Sequence, residues 1–234
     1  MDRRLFCAGL LAAGASPAIA QSPRKRAFTT GPLAKNRAAL SFEPVPDGFY
    51  LPDITVIGEA GPARLSDFKG KPRLLTLWAE WCAPCLVEAG ELAVLQARFG
   101  GPDFEVTSVL TRSDKKLDVA GARKVLSKVK ADTLPLWVEP KGGNAVLRAL
   151  SPERRSLPCL LVVDKSGRVR GRSHGAISIV TLPPGVKPGP DGRLSPEDEA
   201  KMQAEKEKAG NGTVWSTPHG EAFVKALIEG ALDA

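Results

Sequence analysis

The sequence is poor in soft metal ligands: 234 residues hold two histidines, two methionines and four cysteines. A structural zinc site takes four Cys or His ligands. Beyond the pair Cys82 and Cys85, the chain past its start offers only Cys159, His174 and His219, so a zinc clip is thinly supplied. The apolar run Leu5 to Ala15 is too short for a membrane span, which takes about 20 predominantly apolar residues, and Pro17 follows it. No internal repeat appears. Composition is that of a globular protein, with 43% hydrophobic and 25% charged residues, and 23 Gly and 20 Pro predict several irregular segments.

What the N-terminus does contain is an export signal. Arg3 and Arg4 form a charged end, the apolar run follows, and Ala18-Ile19-Ala20 makes a small-residue cleavage site before Gln21. Residues 1–20 are therefore set apart from the fold. Arg3-Arg4 followed by Phe6 is compatible with a twin-arginine signal as well as with ordinary secretion. Cys7 leaves with the signal, and three cysteines remain. An odd count in an oxidising compartment implies at least one unpaired thiol. The net charge of +7 gives a basic surface, but export argues against a nucleic-acid partner.

Residues 21–50 open with "SPRKR", carry no acid until Glu43 and show no sustained apolar period. They read as a basic linker, either solvated or, through residues 21–37, resting on anionic lipid head groups as a peripheral membrane contact. Over residues 51–234 strand and helix signals alternate. Strands are expected at "DITVI", "RLLTLWA", "FEVTSVL", "LPLWVE", "CLLVVD" and "RVRGRS", with "LSDFKGK" and "KSG" as turns. Helices are expected after Cys85 as far as Gly100, around Leu117 to Val129, from Asn144 to Leu150, and at the C-terminus with Thr217 as cap, Pro218 at its first position and Phe223, Leu227 and Ile228 as its stripe. This order predicts an α/β domain, a mixed sheet flanked by helices. Residues 177–214 break the rhythm: "LPPGVKPGPDG" suits no regular element, and the helix starting at Ser195-Pro196 has almost no apolar face. They read as a surface insertion before the last helix.

The chemistry centres on "TLWAEWCAPCLVE", residues 76–88. A structural disulfide across two intervening residues closes so small a loop that it removes little chain entropy. Redox work is the better account. At a helix start, Cys82 faces unpaired backbone donors and the positive end of the dipole, which favours its thiolate; Cys85, one turn in, is placed to displace a mixed disulfide. Pro84 occupies an early helical position where its missing N–H costs nothing. Trp78 and Trp81 either cover the sulfurs or simply pack in the core.

"FKGKPRLLTLWAEWCAPC", with "SLPCLLVVDKSGRVRGRSHG" some way on, resembles the thioredoxin superfamily and within it the exported TlpA/ResA-like thiol-disulfide oxidoreductases. The resemblance runs from about Leu51 to Gly175 and resumes at Trp215. It implies a thioredoxin-like fold, a cis peptide bond before Pro158, and a substrate groove lined by Trp81, by the backbone of Leu157 and by Gly175. Thioredoxin itself has a buried Asp where this chain has Thr76, so the proton acceptor for Cys85 must come from elsewhere. Glu88 is the candidate, three residues along the same helix face and matching the CxPCxxE pattern of the group; a solvated first-turn Glu is the alternative. Gly90 stands where the group often has proline, a change expected to loosen the helix. Cys159 reads as a small buried hydrophobe, or else as a third thiol near the pair.

The resemblance further implies a periplasmic protein that reduces disulfides of exported proteins, in cytochrome c maturation or oxidase copper-site assembly, recharged by a membrane electron donor of DsbD/CcdA type. No cofactor beyond the redox-active Cys82–Cys85 disulfide is then needed. A rival reading from another class is a copper-binding chaperone using Cys82, Cys85 and His174; against it, Met202 is the only methionine past the start.

Overall fold

The computed structural model describes residues 26–36, 38–175, 195–198, 200–201 and 213–232. The export signal and most of the insertion lie outside them. The strands are β1 (Thr55–Gly58), β2 (Gly61–Arg64), β3 (Arg73–Trp78), β4 (Glu105–Leu110), β5 (Leu136–Val138), β6 (Cys159–Val163) and β7 (Val169–His174), and the helices are α1 (Ala83–Phe99), α2 (Val119–Lys128), α3 (Ala145–Leu150) and α4 (Pro218–Ile228). The strands form one mixed sheet in the order β2-β1-β5-β4-β3-β6-β7.

The run "RLLTLW" becomes β3, all six residues buried. It pairs in parallel with β4 and antiparallel with β6, and such a central strand, covered on both faces, needs a continuous apolar sequence rather than alternation. The period of two still sorts its side chains. Leu74 and Trp78 join the core under α1, α2 and α4, whereas Leu75 and Leu77 join the core under α3. Strands β3, β4 and β5 step in one direction across the sheet, so right-handed crossovers put α1 and α2 on the same face. Along α1 the buried residues Cys85, Glu88, Ala89, Leu92, Ala93 and Leu95 recur at helical spacing. The predicted mixed sheet with flanking helices is the fold observed.

Several expectations need correction. Residues 26–50 are not a linker: Leu33, Ala38, Ala39 and Phe42 are buried, the Ala27 N–H donates to the Phe42 carbonyl at 2.9 Å, and Glu43 exchanges both backbone bonds with Arg172. Phe42 stacks on Phe223 of α4, ring centroids 5.5 Å apart. A fully buried Phe contributes about 1.5–3 kcal/mol, so this segment is part of the domain. Leu33 and Ala39 sit in short 3-10 turns, Pro32–Lys35 and Ala39–Ser41, the second flanked by Ala38 and Phe42, and together they show no sustained helical or strand period. Strand β2 was not foreseen either; "GPAR" has little strand propensity, and its Pro62 is tolerated because β2 is an edge.

Thr217 occupies the N-cap of α4, but its hydroxyl donates to the Val214 carbonyl rather than capping the helix. Gly90 does not loosen α1, which runs unbroken. A Cβ there would lie 2.8 Å from the Val129 carbonyl oxygen, so the glycine lets α1 approach the end of α2. Of the insertion, the described residues include the helix start: the Asp198 N–H donates to Ser195 Oγ at 3.1 Å, as its capping role predicts. Among the described residues no helix is long and apolar enough to cross a membrane.

Candidate active site

Sheet pairing brings three loops to one edge. Trp78 pairs with Leu110, and Leu77 with Cys159. The C-terminal ends of β3 and β4 and the start of β6 are therefore side by side. Residues 79–82 leave β3, residues 111–118 leave β4, and Leu157-Pro158 lead into β6. Ligands of open α/β sheets bind in this kind of crevice.

Cys82 and Cys85 are joined in a disulfide, Cα atoms 5.3 Å apart. Cys82 is the N-cap of α1, and Pro84 lies in its first turn. Both sulfur-bearing residues are largely covered, Cys82 at 5% exposure and Cys85 at 2%. The bridge thus closes off the first helical turn, where orphan N–H groups and the dipole favour negative charge on a released sulfur. The Leu157–Pro158 peptide bond is cis. Leu157 is half-buried between the two cores, and the Gly175 N–H donates to the Pro158 carbonyl at 2.9 Å, with Gly175 at φ +81°. Among the described residues, Leu157 makes no backbone–backbone hydrogen bond.

The two tryptophans part company. Trp78 is a core residue, 1% exposed, its Nε1–H donated to Ser108 Oγ at 3.0 Å. Trp81, 46% exposed, lies on the surface beside the bridge. Its Nε1–H is donated to the Arg112 carbonyl at 2.9 Å.

Glu88 is buried at 1% exposure, which discards the solvated first-turn alternative. It shares a helix face with Cys85, and its Oε1 accepts the Trp215 Nε1–H at 3.3 Å. Thr76, in the position of thioredoxin's buried Asp, is buried beside the same core, so Glu88 supplies a carboxyl on a face where β3 has only a hydroxyl. One turn on, Glu91 accepts the Thr213 N–H at 2.7 and 2.8 Å and also the Thr213 hydroxyl. Burial holds its pKa above the ordinary carboxylate value despite those bonds. The chain returning from the insertion is thereby fastened to α1.

Cys159 and His174 fall on the other face. Cys159 belongs to the core under α3, while Cys82 and Cys85 belong to the opposite one. It is fully buried, a free thiol, and burial pushes its pKa up to about 12. His174 is its cross-strand partner and so shares its face. The ring bonds Ser151 Oγ through Nε2 at 2.7 Å, and Nδ1 lies 4.0 Å from Glu43. Burial, then the Arg172 guanidinium, hold its pKa below the usual imidazole value. The sheet thus separates His174 from the two cysteines that a copper site would need. Among the described residues, no three His, Cys, Asp or Glu side chains are grouped to hold a metal ion.

Residues 44–172 match the family model of the AhpC/TSA family, a stretch of more than half the chain. The chain belongs to the AhpC/TSA family. This AhpC/TSA member is 27% identical over 135 residues to the thioredoxin-like protein YneN of Bacillus subtilis, covering 57% of this chain and 75% of that one. Among solved structures, it is similar to a thiol:disulfide interchange protein from Bacteroides sp. (24% identity, TM-score 0.46, 55% of this chain and 81% of that one). It is also similar to the pneumococcal exposed lipoprotein thioredoxin Etrx1 of Streptococcus pneumoniae (26% identity, TM-score 0.42, 67% and 99%).

Three residues of this AhpC/TSA-family site were not foreseen in the sequence. Glu80 Oε1 accepts from Ser113 Oγ at 3.1 Å and from the Lys115 N–H at 2.9 Å, tying the loop before Cys82 to the loop after β4. Arg112 holds Trp81, and Trp215 holds Glu88. Arg112 had a positional signal, since it follows a strand parallel to the one carrying the motif. Trp215 had only its place after the insertion.

Proposed function

We propose that this protein is a periplasmic thiol-disulfide oxidoreductase of TlpA type that reduces disulfides in exported proteins. The observation that carries this reading is the Cys82–Cys85 bridge at the first turn of α1, with buried Glu88 on the same face and the Leu157-Pro158 loop across the sheet edge. In the reduced enzyme the Cys82 thiolate attacks one sulfur of a substrate disulfide. A mixed disulfide forms, the substrate S–S bond breaks, and the released thiolate takes up a proton. Cys85 then gives its proton to Glu88, its thiolate attacks Cys82 Sγ and breaks the mixed disulfide, and the second substrate thiolate released takes a proton back by way of Glu88. The enzyme bridge re-forms and the substrate leaves as a dithiol, carrying two electrons and two protons in all. The bridged state described here is the product of that half-cycle.

An extended substrate segment would lie along Leu157, whose backbone has no backbone partner among the described residues, with Trp81 and Gly175 bounding it. An oxidised enzyme needs two electrons and two protons to return, and a membrane donor of DsbD/CcdA type is the proposed source. Apocytochrome c thiols or copper-site cysteines of oxidase assembly are the proposed targets. The test is trapping with Cys85→Ser, which leaves Cys82 unable to be displaced. Mixed disulfides that depend on Cys82 and disappear in Cys82→Ser are expected from periplasmic extracts; no such adducts, together with no cycling of the native pair between dithiol and bridge, would overturn the function.

A further inference from the structure

Beside the bridge stands a cation that is held more firmly than surface arginines usually are. The Arg112 guanidinium carbon sits 5.3 Å from the Trp81 ring centroid, and its Nη1 donates to the Arg155 carbonyl at 3.2 Å. Its carbonyl accepts from Trp81 and its N–H donates to the Gly143 carbonyl at 2.6 Å. Its backbone is left-handed, at φ +51°, a conformation unfavourable for a non-glycine residue that persists where its surroundings impose it. Arg155, at φ +36°, shares that geometry across the groove, two residues ahead of Leu157. Through the Arg112 Nη1 hydrogen bond to the Arg155 carbonyl, the two arginines bridge the loop after β4 to the loop entering β6.

The charge around them leans basic. Among the described residues neither Arg112 nor Arg155 makes an ion pair, and Lys115 and Lys116 stand exposed on the same loop. Two nearby acids are paired, Glu43 with Arg154 and Glu153 with Arg172, while Glu80 faces inward, its Oε1 accepting from the Ser113 hydroxyl and the Lys115 N–H and its Oε2 buried with no hydrogen-bond partner among the described residues. Asp114 and Asp118 are the exposed acids of that loop, and Asp118 Oδ1 is engaged by the Gly121 N–H. A guanidinium spread on an indole face keeps its outer edge free for a carboxylate and is already partly desolvated by the ring.

Resting on the oxidoreductase reading, we propose that this groove selects polypeptides with an acidic residue beside the reducible disulfide, and that Arg112 is the residue that reads it. Trp81 holds the guanidinium flat, Arg155 and the two lysines supply the field that draws the acidic segment in, and the extended chain passing Leu157 brings its carboxylate over the Arg112 edge as its sulfur meets Cys82.

The test uses the full mature chain and two disulfide-bonded peptides that differ only in Asp against Asn at the residues flanking one cysteine. The readout is the ratio of their kcat/KM values, which is independent of any general loss of activity. A preference of about fivefold for the Asp peptide is expected, the upper end of the range for an exposed ion pair, and it should shrink as salt shortens the Debye length from about 10 Å to about 3 Å. Arg112→Gln should bring the ratio to about one, while Arg112→Lys keeps part of it. Equal kcat/KM values in the parent protein, or a preference that survives Arg112→Gln, would overturn the assignment. Turnover of neither peptide would instead count against the oxidoreductase function itself, so the two failures are distinguishable.

Discussion

Gly90→Ala tests whether the packing of α1 is read correctly. In an ordinary helix interior this substitution stabilises by about 1 kcal/mol, because alanine loses less backbone entropy. Here the new Cβ would stand 2.8 Å from the Val129 carbonyl oxygen. That oxygen belongs to the backbone at the C-terminal end of α2, so no side chain can swing away; one helix must shift. Overpacking of this kind costs about 1–3 kcal/mol. The clash therefore offsets or outweighs the propensity gain, and a net loss of up to about 2 kcal/mol is expected, lowering Tm by as much as roughly 8 °C for a domain of this size. Gly121→Ala in α2 is the control. Its nearest neighbours are side-chain atoms of Asp118 and Leu117 at 3.2 Å, which can give way, so that variant should match or exceed the parent. Urea unfolding of the oxidised protein measures both. If Gly90→Ala were as stabilising as Gly121→Ala, α1 would not lie against α2 as described.

Three further outcomes follow from the buried groups. Cys159, with its thiol pushed up to about 12, should resist alkylation in the native protein after reduction, when Cys82 reacts, and should label fully in denaturant; native labelling of Cys159 at a comparable rate would show that it is accessible. His174 has its pKa lowered in the folded state by burial and by Arg172, against the opposing pull of Glu43. The unfolded chain then binds a proton that the native one refuses, so stability is intact above the unfolded value of about 6.5 and declines as pH falls toward the folded one; His174→Gln should flatten that decline in urea midpoints between about pH 7.5 and 5.5, and an unchanged slope would assign it to other groups. Glu88→Gln keeps an oxygen for Trp215 but removes the proton acceptor, and should slow displacement by Cys85 on the order of a hundredfold while shifting its pH dependence; an unaltered profile would return Glu88 to a packing role.

How much of this was legible in the sequence depended on whether a segment's order was periodic. The run 73–78 could hardly be anything but a buried strand, and the stripe Leu92, Leu95, Phe99 with its stop at Gly100 placed α1 to within a residue or two. Residues 27–42 carried equally buried side chains, yet Leu33, Ala38 and Phe42 obey neither period, so their charge was the louder signal. Their partners, Trp215 and Phe223, lie far along the chain. A core built between distant irregular segments leaves no local trace.

The site divides along the same line. Cys85 and Glu88 stand three residues apart on α1, just past Cys82 at its N-cap, so spacing alone fixes the face those two share, and the burial of Glu88 follows from that face being the packed one. Strand parity settles the other two candidates: Cys159 follows Pro158 directly yet points to the α3 side, and His174, paired with it, must point the same way. Sequence adjacency to the groove therefore says nothing about access to it, because one step along a strand exchanges faces. Arg112 and Trp215 belong to neither pattern. Each reaches a motif residue from another part of the chain: Arg112 meets Trp81 through its carbonyl and its guanidinium, and Trp215 meets Glu88 through its indole N–H. The chemistry of the pair is written locally; the groups that position and select are contributed by the loops that the sheet order gathers at one edge.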